Sequence, residues 1–391
     1  MTTLDIAVVG GGFIGLQHIE AIRRIPGLRV KALVEPNREL GRKVAASMDI
    51  PEYYSSTEEL LKYSKVDAVH NCTPSNMHYP VCKELIAGGI HVFCEKPLTL
   101  TVPEAEELTE LAAASKVGAG VDFVYRQNAM VREMWERIKG NRVGKILTID
   151  AEYLQDWMMY ETDYDWRLDP AVGGRSRAAA DIGSHCFDAV QFLCGERITE
   201  VFAHFLTVYP VRRKTEKKST FSGAGTGADQ AAPGCSEPVR VENEDAAYIL
   251  FKTESGIEGM VHVSQVRAGK KNAFSIAVGG DRGSLNWDQE YPDKLWIGDR
   301  EQGNTLIYAS SGFLSAEAGA YAPLPAGHPI GWADALKKGI ELFYQSIREG
   351  TFTNVEQKYP TFREAAYVMK IVDACLRSDA LGRWVKVLED S

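Results

Sequence analysis

The sequence lacks the features of several broad classes of protein. Its seven cysteines include no Cys-x-x-Cys pair, so they indicate neither a disulfide framework nor a metal site. The net charge of −9 provides no overall attraction to nucleic acid or to anionic lipid. No apolar run is long enough to span a bilayer, and the first residues lack the basic segment of a signal peptide. We therefore expect a cytoplasmic protein that binds no metal, nucleic acid or membrane.

What the sequence does contain is the composition of an ordinary globular protein with two domains. Apolar residues make up 45% of the 391 positions and charged residues 25%. Over residues 1–125, short β-branched runs alternate with segments of helical periodicity, which predicts a doubly wound α/β domain around a parallel sheet. Over residues 126–391, successive strand-like runs joined by Gly-rich turns predict an α+β domain with a mostly antiparallel sheet. Two helices near the end are expected to pack back on the first domain.

Residues 210–240 interrupt the pattern of the second domain. They contain few large apolar side chains and many Gly, Ala, Pro and charged residues, which predicts a mobile insertion. The basic run from Arg212 to Lys218 lies within it, and we interpret that run as a solvated loop.

A glycine-rich turn directly follows the first predicted strand. Residues 10–15 read Gly-Gly-Gly-Phe-Ile-Gly, the pattern Gly-x-Gly-x-x-Gly at the start of a helix. Gly10 permits a tight turn, Gly12 lets the backbone approach a pyrophosphate, and Gly15 lets the helix pack closely on the sheet. A glycine turn without a ligand is the alternative interpretation. The pattern predicts a dinucleotide site formed by Gly10, Gly12, Phe13, Ile14 and Gly15.

A carboxylate at the end of the second predicted strand supports this prediction. Glu35 lies twenty residues past Gly15, where it would accept hydrogen bonds from ribose hydroxyls. Its charge would repel a 2′-phosphate, so the sequence favours NAD over NADP. Arg38 follows closely, and an arginine at this place can accommodate that phosphate.

A polar turn, residues 71–78, follows another predicted strand of the first domain. Ligands of an open parallel sheet bind at the carboxyl ends of its strands, so this turn is expected to face the cofactor. The residues that would do so are Thr73, Pro74, Asn76 and His78. A turn fixed by proline, with local hydrogen bonds from Asn and Thr, fits the same spacing equally well.

Glu95-Lys96-Pro97 follows the next predicted strand. A lysine at this place can hydrogen-bond a substrate hydroxyl and stabilise the negative charge that develops on its oxygen. A surface lysine in a turn is the alternative when this motif is considered alone.

Asp181 and His185 enter a predicted helix of the second domain, and Asp188 follows. Their spacing places the three side chains close together on one helical face. A histidine supported by a carboxylate is the arrangement of a general base near neutral pH. An N-capping aspartate followed by a buried structural histidine fits the spacing equally well.

These four motifs occur in the order and spacing found in the Gfo/Idh/MocA oxidoreductases, and the whole chain resembles that family. The resemblance implies a Rossmann domain followed by an α/β domain on a large open sheet, and an activity on sugars or cyclitols. It implies that Lys96, Asp181 and His185 are catalytic, that Glu95 and Lys96 lie at the cofactor, and that Arg126 lies near the nicotinamide. Residues 153–157, with Trp166 and Arg167 beyond them, are particularly similar to sugar and inositol dehydrogenases, in which the Trp-Arg pair lies beside cofactor and substrate.

Several residues are candidates for the substrate site. A hydroxylated ring offers apolar faces and hydrogen-bonding edges, which suits Gln155, Trp157 and His328, although core packing and a loop position explain Trp157 and His328 as well. Arg175 and Arg177 stand where relatives often have small or apolar residues. If either arginine faces the pocket, the substrate carries an anionic group, and surface arginines are the alternative.

The leading functional hypothesis is NAD-dependent oxidation of a secondary hydroxyl of a sugar, sugar derivative or cyclitol. A second hypothesis keeps the same site in a glycosidase that oxidises, eliminates, hydrates and re-reduces an anionic glycoside with bound NAD. A third is a nucleotide-bound sensor, against which the combined presence of Lys96, Asp181 and His185 argues. An open sheet exposes a face that needs cover, so a homodimer or homotetramer is expected.

Overall fold

The computed structural model describes residues 3–214 and 237–388. These residues form two compact units. The first contains the described residues up to Gln127 together with Ala333–Met369, and the second contains Asn128–Trp332 and the described residues from Lys370 onward. No helix among the described residues is both long enough and apolar enough to cross a membrane.

Both units contain β-strands and α-helices. The strands are β1 (Leu4–Val9), β2 (Leu28–Val34), β3 (Glu52–Tyr54), β4 (Ala68–Asn71), β5 (His91–Cys94), β6 (Ala119–Val121), β7 (Ile146–Leu154), β8 (Ile198–Leu206), β9 (Val211–Lys214), β10 (Glu237–Arg240), β11 (Ala246–Thr253), β12 (Glu258–Ser264), β13 (Ala273–Gly280), β14 (Ser284–Asp288), β15 (Lys294–Gly298), β16 (Thr305–Tyr308) and β17 (Val385–Lys386). The helices are α1 (Phe13–Arg23), α2 (Arg38–Ser47), α3 (Thr57–Tyr63), α4 (His78–Ala87), α5 (Val102–Ser115), α6 (Ala129–Lys139), α7 (Pro170–Gly173), α8 (Ser184–Cys194), α9 (Ala316–Gly319), α10 (Trp332–Glu349) and α11 (Phe362–Leu381).

The first unit is built on a parallel sheet of six strands in the order β3-β2-β1-β4-β5-β6. The residues of β4 are all buried, as are the last four of β1, whose β-branched, apolar sequence suits a strand covered on both faces. The order of the strands reverses between β1 and β4, and ligands of such sheets bind at the carboxyl ends of the strands beside this point. The predicted doubly wound parallel sheet is confirmed.

A segment late in the sequence completes the core of the first unit. The ring of Phe343 on α10 packs 5.3 Å from that of Phe93 on β5, and the ring of Tyr344 stacks 5.8 Å from that of His70 on β4. Sequence patterning placed residues 126–391 in the second domain and expected two helices near the end to pack back on the first. The structure instead groups 333–369 with the first unit, because these buried aromatic side chains cover its parallel sheet.

The second unit is built on a nine-stranded sheet in the order β16-β15-β14-β13-β7-β12-β11-β8-β17. All neighbouring pairs are antiparallel except β7 and β12. Helix α8 packs on β7 and β13 through side chains that are almost all buried. The prediction of a large, mostly antiparallel sheet is confirmed.

Large apolar side chains remain exposed on several strands of this sheet. On β11 they belong to Tyr248 and Leu250, whose neighbours on the strand are buried, as the period of two requires for a sheet with one covered face. The register of the neighbouring strands places Leu306 and Tyr308 of β16 on the same side as Leu250, and we call these exposed residues, Tyr248, Leu250, Leu306 and Tyr308, the open face.

The segment predicted as a mobile insertion begins and ends in an antiparallel ribbon of β9 and β10. Residues 215–236 between the two strands lie outside the described residues, so most of this prediction stays a prediction. The interpretation of the basic run as a solvated loop is wrong for Arg212. Its side chain is fully buried in an ion pair with Asp245, a partner that a local sequence pattern does not reveal.

Candidate functional site

The turn after β1 brings two backbone segments into close approach. Gly10 has a φ of +104°, and a Cβ there would lie 2.6 Å from the carbonyl oxygen of Cys72, which follows β4. A Cβ at Gly15 would lie 2.0 Å from the carbonyl oxygen of Gly10. Side chains are therefore excluded at both positions, as a dinucleotide-binding turn requires.

The start of α1 fits the phosphate groups of a dinucleotide. Gly12 caps the helix without a side chain, and the place of its missing Cβ has no atom within 4 Å. The first N–H groups of a helix and its dipole attract anions. Residues 10–15 therefore suit a pyrophosphate, with Phe13 and Ile14 supplying the first helical turn.

Glu35 is held beside this turn by the backbone. Its Oε2 accepts a hydrogen bond from the N–H of Gly11 at 2.9 Å, and its Oε1 accepts one from the N–H of Asn37 at 3.0 Å. A carboxylate has room for further donors, so Glu35 retains the capacity to bind ribose hydroxyls. Arg38 is exposed at the start of α2.

His78 joins the turn after β4 to the turn after β5. Its Nδ1 lies 2.7 Å from the carbonyl oxygen of Pro97, and its Nε2 lies 2.9 Å from that of Thr73. Burial lowers the pKa of His78, against the effect of these two carbonyls. Both ring nitrogens face the backbone, so His78 holds the two turns in place, whereas Thr73, Pro74 and Asn76 are at least partly exposed.

Glu95 and Asp122 form a buried pair of carboxyl groups next to Lys96. Burial raises the pKa of Asp122 well above its ordinary value, and the charge of Glu95 raises it further. Burial also opposes ionisation of Glu95, but the hydrogen bond from His18 and the charges of His18 and Lys96 lower the pKa of Glu95 to about 2. The two carboxyl groups therefore share one proton, which Asp122 carries and donates to Glu95.

Three further side chains extend this cluster through the core of the first unit. His18 Nε2 lies 3.1 Å from Glu95 Oε1, and His18 Nδ1 lies 2.7 Å from His70 Nδ1. His70 Nε2 lies 2.9 Å from the hydroxyl of Tyr344. Burial lowers the pKa of His70 well below its ordinary value, so this ring is neutral. Ligand atoms of His18, Glu95 and Asp122 lie within 4.8 Å of one another, and their hydrogen bonds with the shared proton satisfy them without a cation.

Glu95 also orients the residue that follows it. Its Oε2 accepts a hydrogen bond from the N–H of Lys96 at 3.2 Å, and Lys96 itself is half-buried. Arg126, predicted near the nicotinamide, is buried in the same unit and its Nη1 donates to Glu364 Oε1 at 2.7 Å. Although burial opposes ionisation of Glu364, Arg126 holds the pKa of this carboxyl group below its ordinary value.

Asp181 and His185 lie in the second unit, on one continuous run of helix. A π-helical turn, Ala179–Gly183, contains Asp181 and leads directly into α8, whose second residue is His185. Single π-helical turns within helices occur frequently at functional sites. Of the three predicted catalytic residues, Lys96 thus belongs to the first unit and the other two to the second.

Glu244 caps this run of helix from a distant part of the chain. Its Oε1 accepts hydrogen bonds from Ser176 Oγ at 2.8 Å, from the N–H of Arg177 at 3.0 Å and from the N–H of Ala179 at 2.8 Å. Burial raises the pKa of Glu244, and these hydrogen bonds oppose the rise. Sequence reasoning missed Glu244, although two adjacent carboxylates directly before the buried strand β11 are an unusual pattern that marks paired groups.

Asp181 is bound on both of its oxygens. Gln265 Nε2 donates to Oδ2 at 2.9 Å, and Arg167 Nε lies 3.5 Å from Oδ1. The guanidinium of Arg167 also lies 4.3 Å from the ring centre of Trp166 and 5.7 Å from that of Trp157. The predicted Trp-Arg pair therefore lies beside the predicted catalytic aspartate.

Gln155 belongs to a hydrogen-bonded group close to His185. Its Oε1 accepts from Trp157 Nε1 at 2.8 Å, and its Nε2 donates to Asn272 Oδ1 at 3.3 Å. The same Oδ1 accepts from the hydroxyl of Tyr153 at 2.5 Å, and the Tyr153 ring lies 6.0 Å from that of His185. Trp157 also packs against the buried cluster of Met158, Leu168 and Val241, so part of its ring belongs to the hydrophobic core.

The remaining candidates for substrate binding lie in different surroundings. Arg175 and His328 are exposed, and the side chain of Arg177 is fully buried in an ion pair with Asp245. The alternative of a surface arginine is therefore wrong for Arg177. The reason is that Asp245, in the segment before β11, forms a buried ion pair with the guanidinium of Arg177.

The fold and these sites define a class of protein, a dinucleotide-binding oxidoreductase with a second unit on an open sheet. Residues 4–123 match an oxidoreductase family with an NAD-binding Rossmann fold, and residues 131–286 match the Gfo/Idh/MocA C-terminal domain. An oxidoreductase of Synechocystis is 31% identical over 283 residues, which cover 72% of this chain and 71% of that protein. The chain belongs to the Gfo/Idh/MocA oxidoreductase family. The predicted family, NAD as cofactor, and an oxidoreductase acting on CH–OH groups are confirmed.

Two other similar proteins have more specific names. Levoglucosan dehydrogenase of Pseudarthrobacter phenanthrenivorans is 27% identical over 402 residues, which cover 99% of each chain. The structure of an inositol dehydrogenase homologue from Azotobacter vinelandii, complexed with NAD⁺, matches with a TM-score of 0.84 at 25% identity. That match covers 98% of this chain and 97% of the other.

Proposed function

We propose that this protein oxidises a secondary hydroxyl of a sugar, sugar derivative or cyclitol, with NAD as the hydride acceptor. One observation carries the proposal: Asp181 and His185 share one run of helix, and Asp181 is bound by Gln265 and Arg167 beside two indole rings. The names of its similar relatives, levoglucosan dehydrogenase and an inositol dehydrogenase homologue, support the class of substrate.

In this proposal the protein supplies acid–base chemistry and charge stabilisation. Bound NAD supplies the acceptor for the hydride that leaves the reacting carbon. A ring nitrogen of His185 takes the proton of the reacting hydroxyl, and Asp181, on the same run of helix, orients and electrostatically supports His185. Lys96 supplies a positive charge that stabilises the negative charge developing on a substrate oxygen.

Residues of the first unit would hold the cofactor. The backbone at residues 10–15 would bind the pyrophosphate, and Glu35 would bind the ribose of NAD and reject the extra phosphate of NADP. The remaining predicted contacts come from Thr73, Pro74, Asn76, Glu95 and Arg126. His78 would act indirectly, because its ring nitrogens face Thr73 and Pro97.

Residues of the second unit would hold the substrate. The indoles of Trp157 and Trp166 offer flat apolar faces to a sugar or cyclitol ring, and Gln155 offers an amide to its hydroxyl groups. The side chain of Arg177 is fully buried in its ion pair with Asp245, so of the two predicted arginines only the exposed Arg175 would meet an anionic substrate.

The test is a panel of sugars and inositols mixed with protein and NAD⁺, in which NADH formation is followed by its absorbance. We expect turnover with at least one secondary alcohol, and total loss of turnover in His185→Ala with NAD⁺ binding retained. Unchanged turnover in His185→Ala would remove this residue from the reaction. A glycosidase that uses NAD transiently would instead release aglycone without accumulating NADH, so glycosides belong in the same panel.

A further inference from the structure

A buried row of polar side chains lies behind Asp181 in the second unit. Gln265 Nε2 donates to Asp181 Oδ2 at 2.9 Å, and Gln265 Oε1 accepts from Arg177 Nη1 at 2.9 Å. A guanidinium only donates hydrogen bonds, so Arg177 must face the oxygen end of the amide. Arg177 therefore turns the donating end of Gln265 towards Asp181.

Asp245 fixes Arg177 in turn. Its Oδ1 accepts from Nη2 of Arg177 and from Nη2 of Arg212, the latter at 2.6 Å, and the side chains of all three residues are 0% exposed. Its Oδ2 accepts from the backbone N–H groups of residues 208 and 209. Removing Asp245 would leave two buried guanidinium groups without their carboxylate, so Asp245 holds both arginines in place.

Arg212 connects this row to the β9–β10 ribbon and to the segment after Trp157. Its Nη1 donates to the carbonyl oxygens of Tyr160 at 2.7 Å and Asp163 at 3.2 Å, and its Nη2 donates to that of Met158 at 3.0 Å. The first strand of the ribbon is thus anchored in the interior of the unit.

We propose that Arg212, Asp245, Arg177 and Gln265 form a relay that positions Asp181 for catalysis, so that the root of the β9–β10 ribbon supports the reaction. The proposal rests on the proposed function, because the four residues are positioning residues that act through Asp181. The charged groups around Asp181 are Arg167 at its Oδ1 and His185 on the same helix. Behind Gln265 lie Arg177 and Arg212 with Asp245, while Glu244 caps the helix.

Substitution of Gln265 tests the last step of the relay. Gln265→Leu keeps a similar volume but donates no hydrogen bond, and we expect kcat to fall by about tenfold or more, with the dissociation constant for NAD⁺ unchanged. In Gln265→Glu, the introduced carboxyl group can donate to Asp181 only while it is protonated. The loss of kcat relative to wild type should therefore grow as pH rises in Gln265→Glu but not in Gln265→Leu, a difference that a packing defect does not produce.

A second measurement is independent of turnover. In full-length protein labelled with ¹³C-aspartate, the Asp181 carboxyl signal is assigned by its disappearance in Asp181→Asn and followed with pH. We expect the midpoint of its titration to rise in Gln265→Leu, because the ionised carboxylate loses a hydrogen-bond donor. An unchanged midpoint would overturn the relay.

The ribbon provides a matched pair of variants for the first step. Arg212→Met removes the buried guanidinium, while Arg213→Met removes a side chain that is 56% exposed and pairs with Glu161 at the surface. We expect a lower kcat in Arg212→Met only, and partial recovery in Arg212→Lys, whose charge can still reach Asp245. If Arg212→Met does not fold, Arg212→Lys carries the comparison. Equal kcat in Arg212→Met and Arg213→Met would show that the ribbon does not support catalysis. If Arg212→Met does not fold, equal kcat in Arg212→Lys and Arg213→Met would show the same.

Failure of the relay is distinguishable from failure of the proposed function. If the wild-type protein oxidises no member of the panel, the proposed function is wrong, and the Asp181 titration alone then decides whether Gln265 controls this carboxylate. If the wild-type protein is active and the titration midpoint does not move, the function stands and the relay is wrong.

Discussion

Single side chains of the first unit are held by the backbone in positions that determine their chemistry. Glu35 accepts N–H groups of Gly11 and Asn37, so its carboxylate cannot swing away from the glycine turn without losing both hydrogen bonds. Its negative charge therefore stays where a nucleotide ribose would bind, and a second negative charge there is disfavoured.

Glu35→Gln tests this choice of cofactor. The amide keeps an acceptor for one backbone N–H but removes the charge, so we expect the ratio of kcat/KM with NAD⁺ to kcat/KM with NADP⁺ to fall by about tenfold. Steady-state kinetics with each cofactor measures the ratio. Glu20→Gln, an exposed change on α1, is the control, and an unchanged ratio in Glu35→Gln would contradict the role of the charge.

The shared proton of Glu95 and Asp122 predicts a pH dependence of stability. Folded Asp122 keeps its proton above the pH at which an unfolded aspartate loses it, so unfolding releases a proton and stability falls as pH rises through that window. The contribution of Glu95 to stability changes with pH in the opposite direction. Because the pKa of Glu95 is lowered in the folded protein, it contributes stability that is lost as pH falls towards about 2. Only the Asp122 contribution is removed by Asp122→Asn, whose amide still donates to Glu95.

We therefore expect the difference in Tm between Asp122→Asn and wild type to move in favour of the variant as pH rises from about 4 to neutrality. Thermal unfolding at a series of pH values measures this difference. Asp122→Leu has no donor for Glu95 and should be less stable than Asp122→Asn by about 1–3 kcal/mol at every pH. A difference in Tm that does not change with pH would show that Asp122 carries no proton.

At the scale of elements, the helix run that contains Asp181 and His185 depends on a cap from another part of the chain. Glu244 accepts hydrogen bonds from Ser176 and from two backbone N–H groups at the start of this run. Helix starts within the first unit use residues adjacent in sequence instead, as where the Asn37 side chain accepts from the N–H of Leu40.

Glu244→Ala tests the distant cap. The change leaves buried donors without an acceptor, so we expect the free energy of unfolding to fall by about 1–3 kcal/mol. Denaturant unfolding measures this loss. The matched control is Glu242→Ala, because Glu242 is two residues away with a side chain that is 70% exposed, and an equal effect of both changes would contradict the cap.

Features formed by residues adjacent in sequence could be predicted from the sequence, whereas contacts between distant residues could not. Alternating periodicity predicted the parallel sheet, and the glycine turn followed from residues adjacent along the chain. The buried pairs Arg177–Asp245 and Arg212–Asp245 were missed because each joins residues far apart in sequence, and a charged residue has the same local pattern in a loop as in a buried pair. The cluster of His18, Glu95 and Asp122 was missed for the same reason.

At the scale of the whole molecule, the open face is the largest feature that the fold leaves uncovered. Leu250, Leu306 and Tyr308 are each about half exposed there. Exposed apolar side chains on a sheet face are typical of an interface, and a homodimer or homotetramer through this face stays a prediction.

Leu250→Lys tests the predicted assembly. A charge in the centre of an apolar interface is costly to bury, so we expect this variant to show a smaller molar mass than wild type in light scattering after gel filtration. The exposed residue Leu381 lies on α11, so Leu381→Lys is the control and should keep the mass of the wild-type protein. An identical mass for wild type and Leu250→Lys would exclude this face.

The first unit is discontinuous in sequence, since it takes residues up to 127 and then 333–369. During synthesis on a ribosome, the parallel sheet emerges early, but Phe343 and Tyr344 that cover β4 and β5 emerge only after more than 200 further residues. The nucleotide-binding unit therefore cannot complete its core until residues 333–369 have been translated. Truncation after residue 127 would yield a fragment that exposes Phe93 and His70, and the gene cannot be cut there into two independently folding halves.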